Sequence, residues 1–512
     1  MPAAKAEKIF FYFFLILFLS PLLLIRYFPS TDGPAHLYNA TLIKNLLLDQ
    51  NGIASKYFEF NTSPQPNWSA HAVMALLQNF FPAWLSQKFF LLIYFIALAF
   101  SFRAVVLQLN PKAGIATCLI LPFIPNFIFY IGFYNFLLSL PLIFILCWYW
   151  NYSSRFSLKR ILWLALLFLA IYFSHILSFA VSVICIGIII LYASDKKSLF
   201  KEMGFVFCSS IPCLILTLFF FSSNKMTGYK GTVDYLPTTE LISYLTDARP
   251  LICYTHEEKN LSQFVFYIFC LLFFVVFLHH IFQFQKEKNL FHNADAWLLL
   301  SMVMITLLFA VPDNIASGGF VSIRFCLLAY LFFVLWLTAT DSYSWIKNAA
   351  VVIVLLICLK LTYNRFETTR LLSDEVKKLE QASEFIKEGS VVLPLNYSQN
   401  WTTTNLLNYI GCFRNVAVLD NYEANYNQFP LKWKPNADPS LYFKDWGKSS
   451  QPCIDISNYE SRRKQLINYV VTFQRDHSST DLCDLKTMQE IDKYFIKIFE
   501  DETKLVEVYQ RK

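Results

Sequence analysis

The chain has 512 residues, of which 56% are hydrophobic and only 15% are charged, and its formal net charge is +7. Because roughly a quarter of the residues in soluble globular domains are charged, this composition excludes a wholly soluble protein. The basic excess does not require a nucleic-acid partner, since basic residues at the edges of membrane spans account for it.

Eleven apolar runs are long enough to cross about 30 Å of hydrocarbon. The first run continues directly into a polar motif and has no small-residue cleavage site, so we expect a membrane anchor rather than a signal peptide. Residues 160–193 have basic residues on both sides and are therefore divided into two spans at Ser174 and His175. The predicted spans lie near residues 9–27, 88–108, 113–131, 134–150, 160–175, 177–193, 203–222, 263–283, 296–311, 322–340 and 346–363.

The basic residues between these spans are unevenly distributed. With the N-terminus in the cytoplasm, the inner loops hold most of them, as the positive-inside rule requires. An odd number of spans then places the C-terminal segment on the outer, periplasmic face of a bacterial inner membrane. Two outer loops, residues 28–87 and 223–262, have the length of functional loops.

The composition changes after the last span. From Asn364 onward the chain holds 41 of its 79 charged residues. Helical and strand patterns alternate there, with strands predicted at 391–395 and 416–419, which indicates a small α/β domain. The predicted organisation is an α-helical polytopic membrane domain over residues 1–363, followed by an extracytoplasmic α/β domain over residues 364–512.

The most informative motif follows the first span and reads Asp32-Gly33-Pro34-Ala35-His36. Glycine and proline fix a turn, and an ionisable pair at a membrane boundary is a site hypothesis by default. The carboxylate of Asp32 can act as a general base on an acceptor hydroxyl or amine, and His36 is a second catalytic candidate. Two structural interpretations stay open: Asp32 as the cap of a helix that begins near Pro34, and His36 as an interfacial hydrogen-bonding residue.

Arg324 is the main candidate for phosphate binding. It follows Gly318 and Gly319, where a ligand can approach the backbone, and a guanidinium binds phosphate through two hydrogen bonds. The start of its helix adds favourable amide dipoles. His175, at the predicted outer turn between two spans, is a second candidate. A snorkelling arginine and a simple turn histidine are the alternatives.

Further ionisable groups lie on the predicted outer face, where helices bring their ends together. Residues that are distant in sequence can therefore converge there. The substrate-binding candidates among them are Arg249 and His71, and Asp247, His256 and Asp313 lie on the same predicted face.

The twelve cysteines include no CxxC pair and no metal-binding spacing. Cys412, Cys453 and Cys483 lie in the predicted outer domain, where an oxidising compartment allows one pair to form a disulfide. The spacing does not indicate which pair. No residue is assigned as a metal ligand, and a divalent cation stays open as a cofactor.

A multi-span chain with an acid at the start of its first outer loop and a soluble domain after its last span resembles the GT-C superfamily of integral-membrane glycosyltransferases. The resemblance implies a polyprenyl-phosphate sugar donor, an active site facing the periplasm or ER lumen, Asp32 as catalytic base and Arg324 as phosphate ligand. The motif departs from the Asp-Glu or Asp-x-Asp forms of many members, which leaves metal use open. The segments Ser317–Arg324, Leu419–Ala424 and Phe429-Pro430 look like those of uncharacterised bacterial membrane proteins near this superfamily.

We therefore predict a membrane glycosyltransferase whose acceptor is a lipid, a glycan or a protein. A transporter or flippase of lipid-linked saccharides is an alternative, as is a non-enzymatic assembly or sensor protein. Transporters tend to place polar residues and broken helices near the middle of the membrane. Ionisable residues in this chain avoid the middle of the spans and gather at one rim, which favours chemistry at the surface.

Overall fold

The computed structural model describes residues 2–152, 157–193, 196–226, 233–287, 292–315, 318–443, 446 and 453–512. The chain divides into two compact units, which are described separately. The first unit contains Met1–Leu24, Leu92–Tyr130 and Asn135–Thr368, and the second contains Ile25–Leu91, Ile131–Tyr134 and Thr369–Lys512. The predicted outer loop at 28–87 therefore belongs to the same unit as the C-terminal segment.

Long apolar helices dominate the first unit. Nine segments of the described chain are long and apolar enough to cross a membrane, and two further predicted spans form helices of 17 and 16 residues. Each of the eleven apolar runs contains a helix, so the polytopic α-helical membrane protein is confirmed. The matching α-helices are Pro2–Leu24, Ala83–Leu109, Phe127–Ile131, Tyr134–Tyr152, Leu158–Ser174, Ile176–Ala193, Lys196–Met226, Glu258–Glu287, Asp295–Ala310, Val321–Ala339 and Ser344–Ser383.

The predicted span at 113–131 is not one continuous α-helix. It forms the 3-10 helix Gly114–Phe123 and the short α-helix Phe127–Ile131. Pro125 lies in the break between the two segments, and proline lacks the backbone N–H that an α-helix requires and clashes with the preceding turn. Pro122 lies inside the 3-10 helix.

The predicted domain boundary after residue 363 falls inside a single helix, Ser344–Ser383, which is 40 residues long. Residues 364–383 contain neither glycine nor proline, so nothing in the local sequence ends the helix where the apolar run ends. The compact units instead divide after Thr368.

The second unit is built on a five-stranded mixed sheet, which confirms the small α/β domain. Its strands Val391–Asn396 and Tyr469–Phe473 are buried over all or nearly all of their length, and such strands have the continuous apolar sequences that made them predictable. The first three strands are mutually parallel, and the last two are antiparallel to their neighbours. In spatial order the strands are Ala417–Val418, Val391–Asn396, Tyr469–Phe473, Val506–Arg511 and Phe495–Glu500. The α-helices of this unit include Gly33–Leu48, Ile53–Tyr57, Ser69–Leu77, Tyr409–Phe413, Ile456–Arg463 and Leu482–Tyr494.

The long loop after the first helix is part of this second unit because it pairs and packs with the C-terminal segment. Its short strand Phe58–Phe60 is antiparallel to Leu431–Trp433. The hydroxyl of Tyr38 accepts a hydrogen bond from the backbone N–H of Val418 at 2.9 Å. Gly411 lies so close to the Tyr38 ring that an added Cβ would be 2.2 Å from it, and only glycine fits there.

One disulfide is present in the described part of the chain, between Cys453 and Cys483, and Cys412 is a free thiol. This identifies the pair that the sequence spacing left open.

Replacing Cys453 and Cys483 together by serine is expected to lower the free energy of unfolding by about 3–4 kcal/mol, because the bridge closes a loop of about 30 residues. Thermal unfolding of the detergent-solubilised chain measures the effect. A reductant should destabilise the wild type equally and leave the double variant unchanged, and Cys412→Ser is the control. An unshifted midpoint in the double variant would contradict the prediction.

Candidate functional site

The chain turns sharply before the helix Gly33–Leu48, and Asp32 lies in this turn. The backbone N–H of Asp32 donates to the carbonyl of Ile131 at 2.8 Å, which anchors the turn. Gly33 is packed so tightly that an added Cβ would lie 2.4 Å from the Tyr134 hydroxyl. A side chain at this position would push the turn away from its anchor, so the motif requires glycine here.

The Asp32 carboxylate is held by side chains of the C-terminal segment. It makes no capping hydrogen bond to its own helix, so the interpretation of Asp32 as only a helix cap is wrong. Asn405 Nδ2 donates to Asp32 Oδ1 at 3.0 Å and to the carbonyl of Thr31 at 3.1 Å. The Tyr422 hydroxyl forms a further hydrogen bond with the carboxylate. Asp32 itself is partly exposed, so it is an oriented acceptor with access to a ligand.

One helical turn after Asp32, His36 joins a buried cluster with His71 and Glu423. Glu423 Oε1 lies 2.5 Å from His36 Nδ1, and Oε2 lies 2.8 Å from His71 Nε2. The two facing imidazole nitrogens are 3.2 Å apart. His36 is 4% exposed, and His71 and Glu423 are fully buried. The cluster is therefore shielded from solvent.

Electrostatic interactions within this cluster stabilise the charged forms of His36 and Glu423. Burial lowers the pKa of His36, but the charge and hydrogen bond of Glu423, the charge of Asp32 and a hydrogen bond to the Gly132 backbone together raise it above its usual value. Burial raises the pKa of Glu423, and the two histidines reverse this and lower it to about 2. Burial, with the charges of Asp32 and Glu423, raises the pKa of Tyr422 well above its usual value. Tyr422 is therefore protonated and donates to Asp32.

Glu423 is positioned by the helix that carries His36. It lies in the short 3-10 helix Tyr422–Asn425, whose N-cap residue is Asn421. Asn421 and Asn39 exchange two side-chain hydrogen bonds, each 3.0 Å long. Asn39 lies one turn after His36 on the helix Gly33–Leu48. This helix therefore positions both His36 and, through Asn421, the segment that carries Glu423.

In the first unit, Arg324 and His175 form a separate pair. Arg324 Nη1 lies 3.2 Å from His175 Nε2. Both side chains contact the ring of Phe136, at centroid distances of 5.6 Å for the guanidinium and 5.2 Å for the imidazole. The structure therefore brings together the two residues that were predicted to bind phosphate.

At the start of the helix Val321–Ala339, two backbone N–H groups that were predicted to favour phosphate binding already have hydrogen-bond partners. The backbone N–H of Val321 donates to the carbonyl of Asp313 at 3.1 Å, and that of Ser322 donates to the Asp313 carboxylate at 2.8 Å. Asp313 thus caps the helix and occupies these amides. Arg324 is the fourth residue of the helix and is 9% exposed, so phosphate binding depends on its guanidinium rather than on these two amides.

The predicted substrate-binding residue Arg249 is engaged in packing contacts. Its guanidinium lies 3.9 Å from the ring centroid of Phe127 and donates to the carbonyl of Ile252, three residues along the chain. Its neighbour Asp247 forms an ion pair with Lys259 at 2.9 Å. These contacts hold the loop in place.

The predicted candidates are distributed over the two units. His36 and His71 meet through Glu423 in one unit, and Arg324 meets His175 in the other. His256 is exposed. Asp32, His36 and His71 lie in the second unit, and His175, Asp247, Arg249, His256, Asp313 and Arg324 lie in the first. Ala316, Ser317 and residues 227–232, which belong to predicted outer loops, lie outside the described residues.

Three residues of the site were missed by sequence reasoning: Glu423, Asn405 and Tyr422. Glu423 is 352 positions from His71, and no spacing rule connects residues at that separation. The available signal was the segment Leu419–Ala424, whose resemblance to other membrane proteins marked it without indicating a role for Glu423.

Three groups of side chains in the described part of the chain have atoms close enough to hold a metal ion. Only the first group consists entirely of buried side chains. The groups are His36, His71 and Glu423; His280, His292 and Asp295; and His477, Glu500 and Glu507.

Comparison with solved structures identifies the class of fold. Two crystal structures of ArnT from Cupriavidus metallidurans, one apo and one bound to undecaprenyl phosphate, are similar to this chain, with TM-scores of 0.57 and 0.59. Each is 8% identical in sequence, and each match covers 99% of this chain and 98% of ArnT. A cryo-EM structure of the arabinofuranosyltransferase AftD from Mycobacteria is 13% identical, with a TM-score of 0.51 over 99% of this chain and 40% of AftD.

The sequence itself matches no family model and no curated protein. The similarity to ArnT and AftD nevertheless extends over nearly the whole chain. The chain therefore has the fold of the GT-C membrane glycosyltransferases, and the fold implied by the sequence resemblance is confirmed.

Proposed function

We propose that this chain is a membrane glycosyltransferase that moves a sugar from a polyprenyl-phosphate donor to an acceptor at the extracytoplasmic face. The observation that carries the proposal is the partly exposed carboxylate of Asp32, which Asn405 and Tyr422 orient. The fold supports it, since AftD is an arabinofuranosyltransferase and one ArnT structure contains undecaprenyl phosphate.

In the proposed reaction, Asp32 accepts the proton of an acceptor hydroxyl or amine while that atom attacks the anomeric carbon of the donor sugar. The bond between the anomeric carbon and the phosphate oxygen breaks, and its electron pair stays on the departing polyprenyl phosphate. Attack opposite the leaving group inverts the anomeric configuration. The proton then passes from Asp32 to water, which restores the base.

Asn405 is proposed to act as a positioning residue in this reaction. It ties one oxygen of Asp32 to the backbone of Thr31 through a single amide group. A carboxylate fixed in this way presents its remaining lone pairs in a defined direction, and correct orientation of a base is worth a large part of a catalytic rate.

Arg324 is proposed to bind the donor phosphate, with His175 beside it. Arg324→Gln is expected to raise the donor KM by about 10- to 100-fold, because a charge-assisted hydrogen bond is worth about 1.5–3 kcal/mol. Steady-state kinetics with varied donor concentration measures this. The control is Arg462→Gln, which removes an exposed guanidinium. An equal donor KM in the two variants would rule out phosphate binding by Arg324.

The proposed location is a bacterial inner membrane, with the N-terminus in the cytoplasm and the second unit in the periplasm. The disulfide between Cys453 and Cys483 supports this orientation, because disulfides form and persist in oxidising compartments such as the periplasm.

The proposal is tested with the purified chain in liposomes that contain polyprenyl-phosphate-linked hexoses or pentoses and a bacterial lipid extract as acceptor source. We expect free polyprenyl phosphate to appear together with a glycosylated product. A flippase would move the intact donor between leaflets without cleaving it, and an assembly or sensor protein would do neither. Each of those two results would overturn the proposal.

A further inference from the structure

The buried cluster of the second unit holds more hydrogen-bond acceptors than its donors can satisfy. His71 Nδ1 lies 3.1 Å from the carbonyl oxygen of Asn67. Because a carbonyl only accepts, Nδ1 carries the proton, and Nε2 of a neutral His71 has a lone pair. That lone pair faces Glu423 Oε2 at 2.8 Å. Two lone pairs at this distance require a positive charge between them.

His36 repeats this arrangement on the other side of the carboxylate. Its Nδ1 faces Glu423 Oε1 at 2.5 Å, and the ring also forms a hydrogen bond with the backbone of Gly132. Histidines that bind metals usually have one nitrogen on the ion and donate the other N–H to a backbone carbonyl or carboxylate. Both imidazoles of the cluster have this geometry.

Protons alone satisfy the cluster poorly. Protonation of both imidazoles would place two like charges with their facing nitrogens 3.2 Å apart, and like charges this close in a buried site repel each other strongly. Protonation of only one imidazole would leave the lone pair of the other facing an oxygen of Glu423. A divalent cation between the two facing imidazole nitrogens and the Glu423 carboxylate would accept lone pairs from all three side chains at once.

We propose that His36, His71 and Glu423 bind one divalent transition-metal ion, and that Zn²⁺ is the best fit. Two imidazoles and a carboxylate form a known zinc ligand set that leaves a fourth position open, and imidazole favours zinc over magnesium or calcium. Zinc bonds of about 2.1 Å in a tetrahedron place ligand atoms roughly 3.4 Å apart. The facing atoms lie 2.5 to 3.2 Å apart, so they need to separate by less than about 1 Å.

The ion would link the helix Gly33–Leu48 to the 3-10 helix Tyr422–Asn425, the two elements that position Asp32. His36 lies on the helix that begins directly after Asp32, and Glu423 lies beside Tyr422, the hydrogen-bond partner of Asp32. The charge of Asp32, which acts on His36, supplies a second negative charge to balance the ion. This inference concerns metal binding and holds whether or not the chain transfers a sugar.

The test is the metal content of the purified full-length chain in detergent. The chain is stripped with EDTA, re-equilibrated with Zn²⁺, Mn²⁺ or Mg²⁺, freed of unbound ions and analysed by elemental mass spectrometry. We expect about one zinc ion per chain, and far less manganese or magnesium under the same conditions.

Variants locate the ion. Glu423→Gln and His71→Gln are expected to weaken zinc binding by at least about 10-fold, whereas His256→Gln, which removes an exposed histidine, should retain it. Zinc bound equally by His71→Gln and the wild type would show that this cluster is not the site.

The wild type provides a readout that does not depend on the folding of any variant. Bound Co²⁺ should show the visible absorption of a four-coordinate ion, and one equivalent of Zn²⁺ should remove it. EDTA should lower the thermal midpoint of the wild type. A wild type that takes up no zinc and gives no cobalt spectrum would overturn the proposal and identify the cluster as an imidazolium–carboxylate pair.

Discussion

Replacing Asp32 by asparagine is expected to reduce the rate of sugar transfer by about 10²- to 10⁴-fold, the usual contribution of a general base. Asparagine has almost the same shape and can still accept the hydrogen bond from Asn405 that Asp32 Oδ1 accepts. The turn and its packing should therefore survive, and only the ability to take a proton is lost. The donor KM should change little, because proton transfer belongs to the transition state.

The measurement is kcat in the liposome assay, with thermal unfolding as the check on folding. Asp49→Asn is a matched control, since Asp49 lies at the exposed C-terminal end of the same helix. We expect Asp49→Asn to have wild-type activity. If Asp32→Asn kept more than about a tenth of the wild-type rate, Asp32 would not be the base.

Glu423→Ala is expected to cause the largest loss of stability among single substitutions in the site. The carboxylate is fully buried and bridges two imidazoles, and removing one partner of a buried ionic cluster costs about 3–5 kcal/mol. The prediction holds whether protons or a metal ion neutralise the carboxylate, because both arrangements need its charge. The midpoint of thermal unfolding in detergent measures the effect.

Glu388→Ala is the control for this substitution. Glu388 forms an ion pair with Arg414 at 3.9 Å, and its side chain is 57% exposed, so its loss should cost less than about 1 kcal/mol. His71→Gln should cost much less in the Glu423→Ala background than in the wild type, because the two residues act as one unit. Additive effects of the two substitutions, or equal shifts for Glu388→Ala and Glu423→Ala, would contradict the role of the cluster.

The helices of the first unit were predictable because hydropathy and length are local properties. The division of 160–193 at His175 is confirmed, since basic flanks on both sides implied two helices. The span predicted at 113–131 is confirmed by length and hydropathy, since Gly114–Ile131 is long and apolar enough to cross a membrane, but it is divided into a 3-10 helix and a short α-helix. Hydropathy does not register the missing backbone N–H of proline, so the apolar run gave no sign of this division.

The domain limits were less predictable than the spans. The change in charge density near Asn364 is real, but the helix Ser344–Ser383 passes through it. The loop at 28–87 was expected to be an outer loop of the membrane domain. It is instead part of the second unit, because it donates a strand and a buried helix to partners more than 300 residues away.

The sequence alone determined that this is a polytopic membrane protein with a small α/β domain, since periodicity and composition act over short stretches of chain. It also drew attention to Asp32 and His36, because acids and imidazoles are rare at the end of an apolar run. Only the tertiary structure decided that Glu423 lies between His36 and His71, and that Asn405 orients Asp32. These contacts join residues more than 340 positions apart, and the packing that brings them together leaves no local pattern in the sequence.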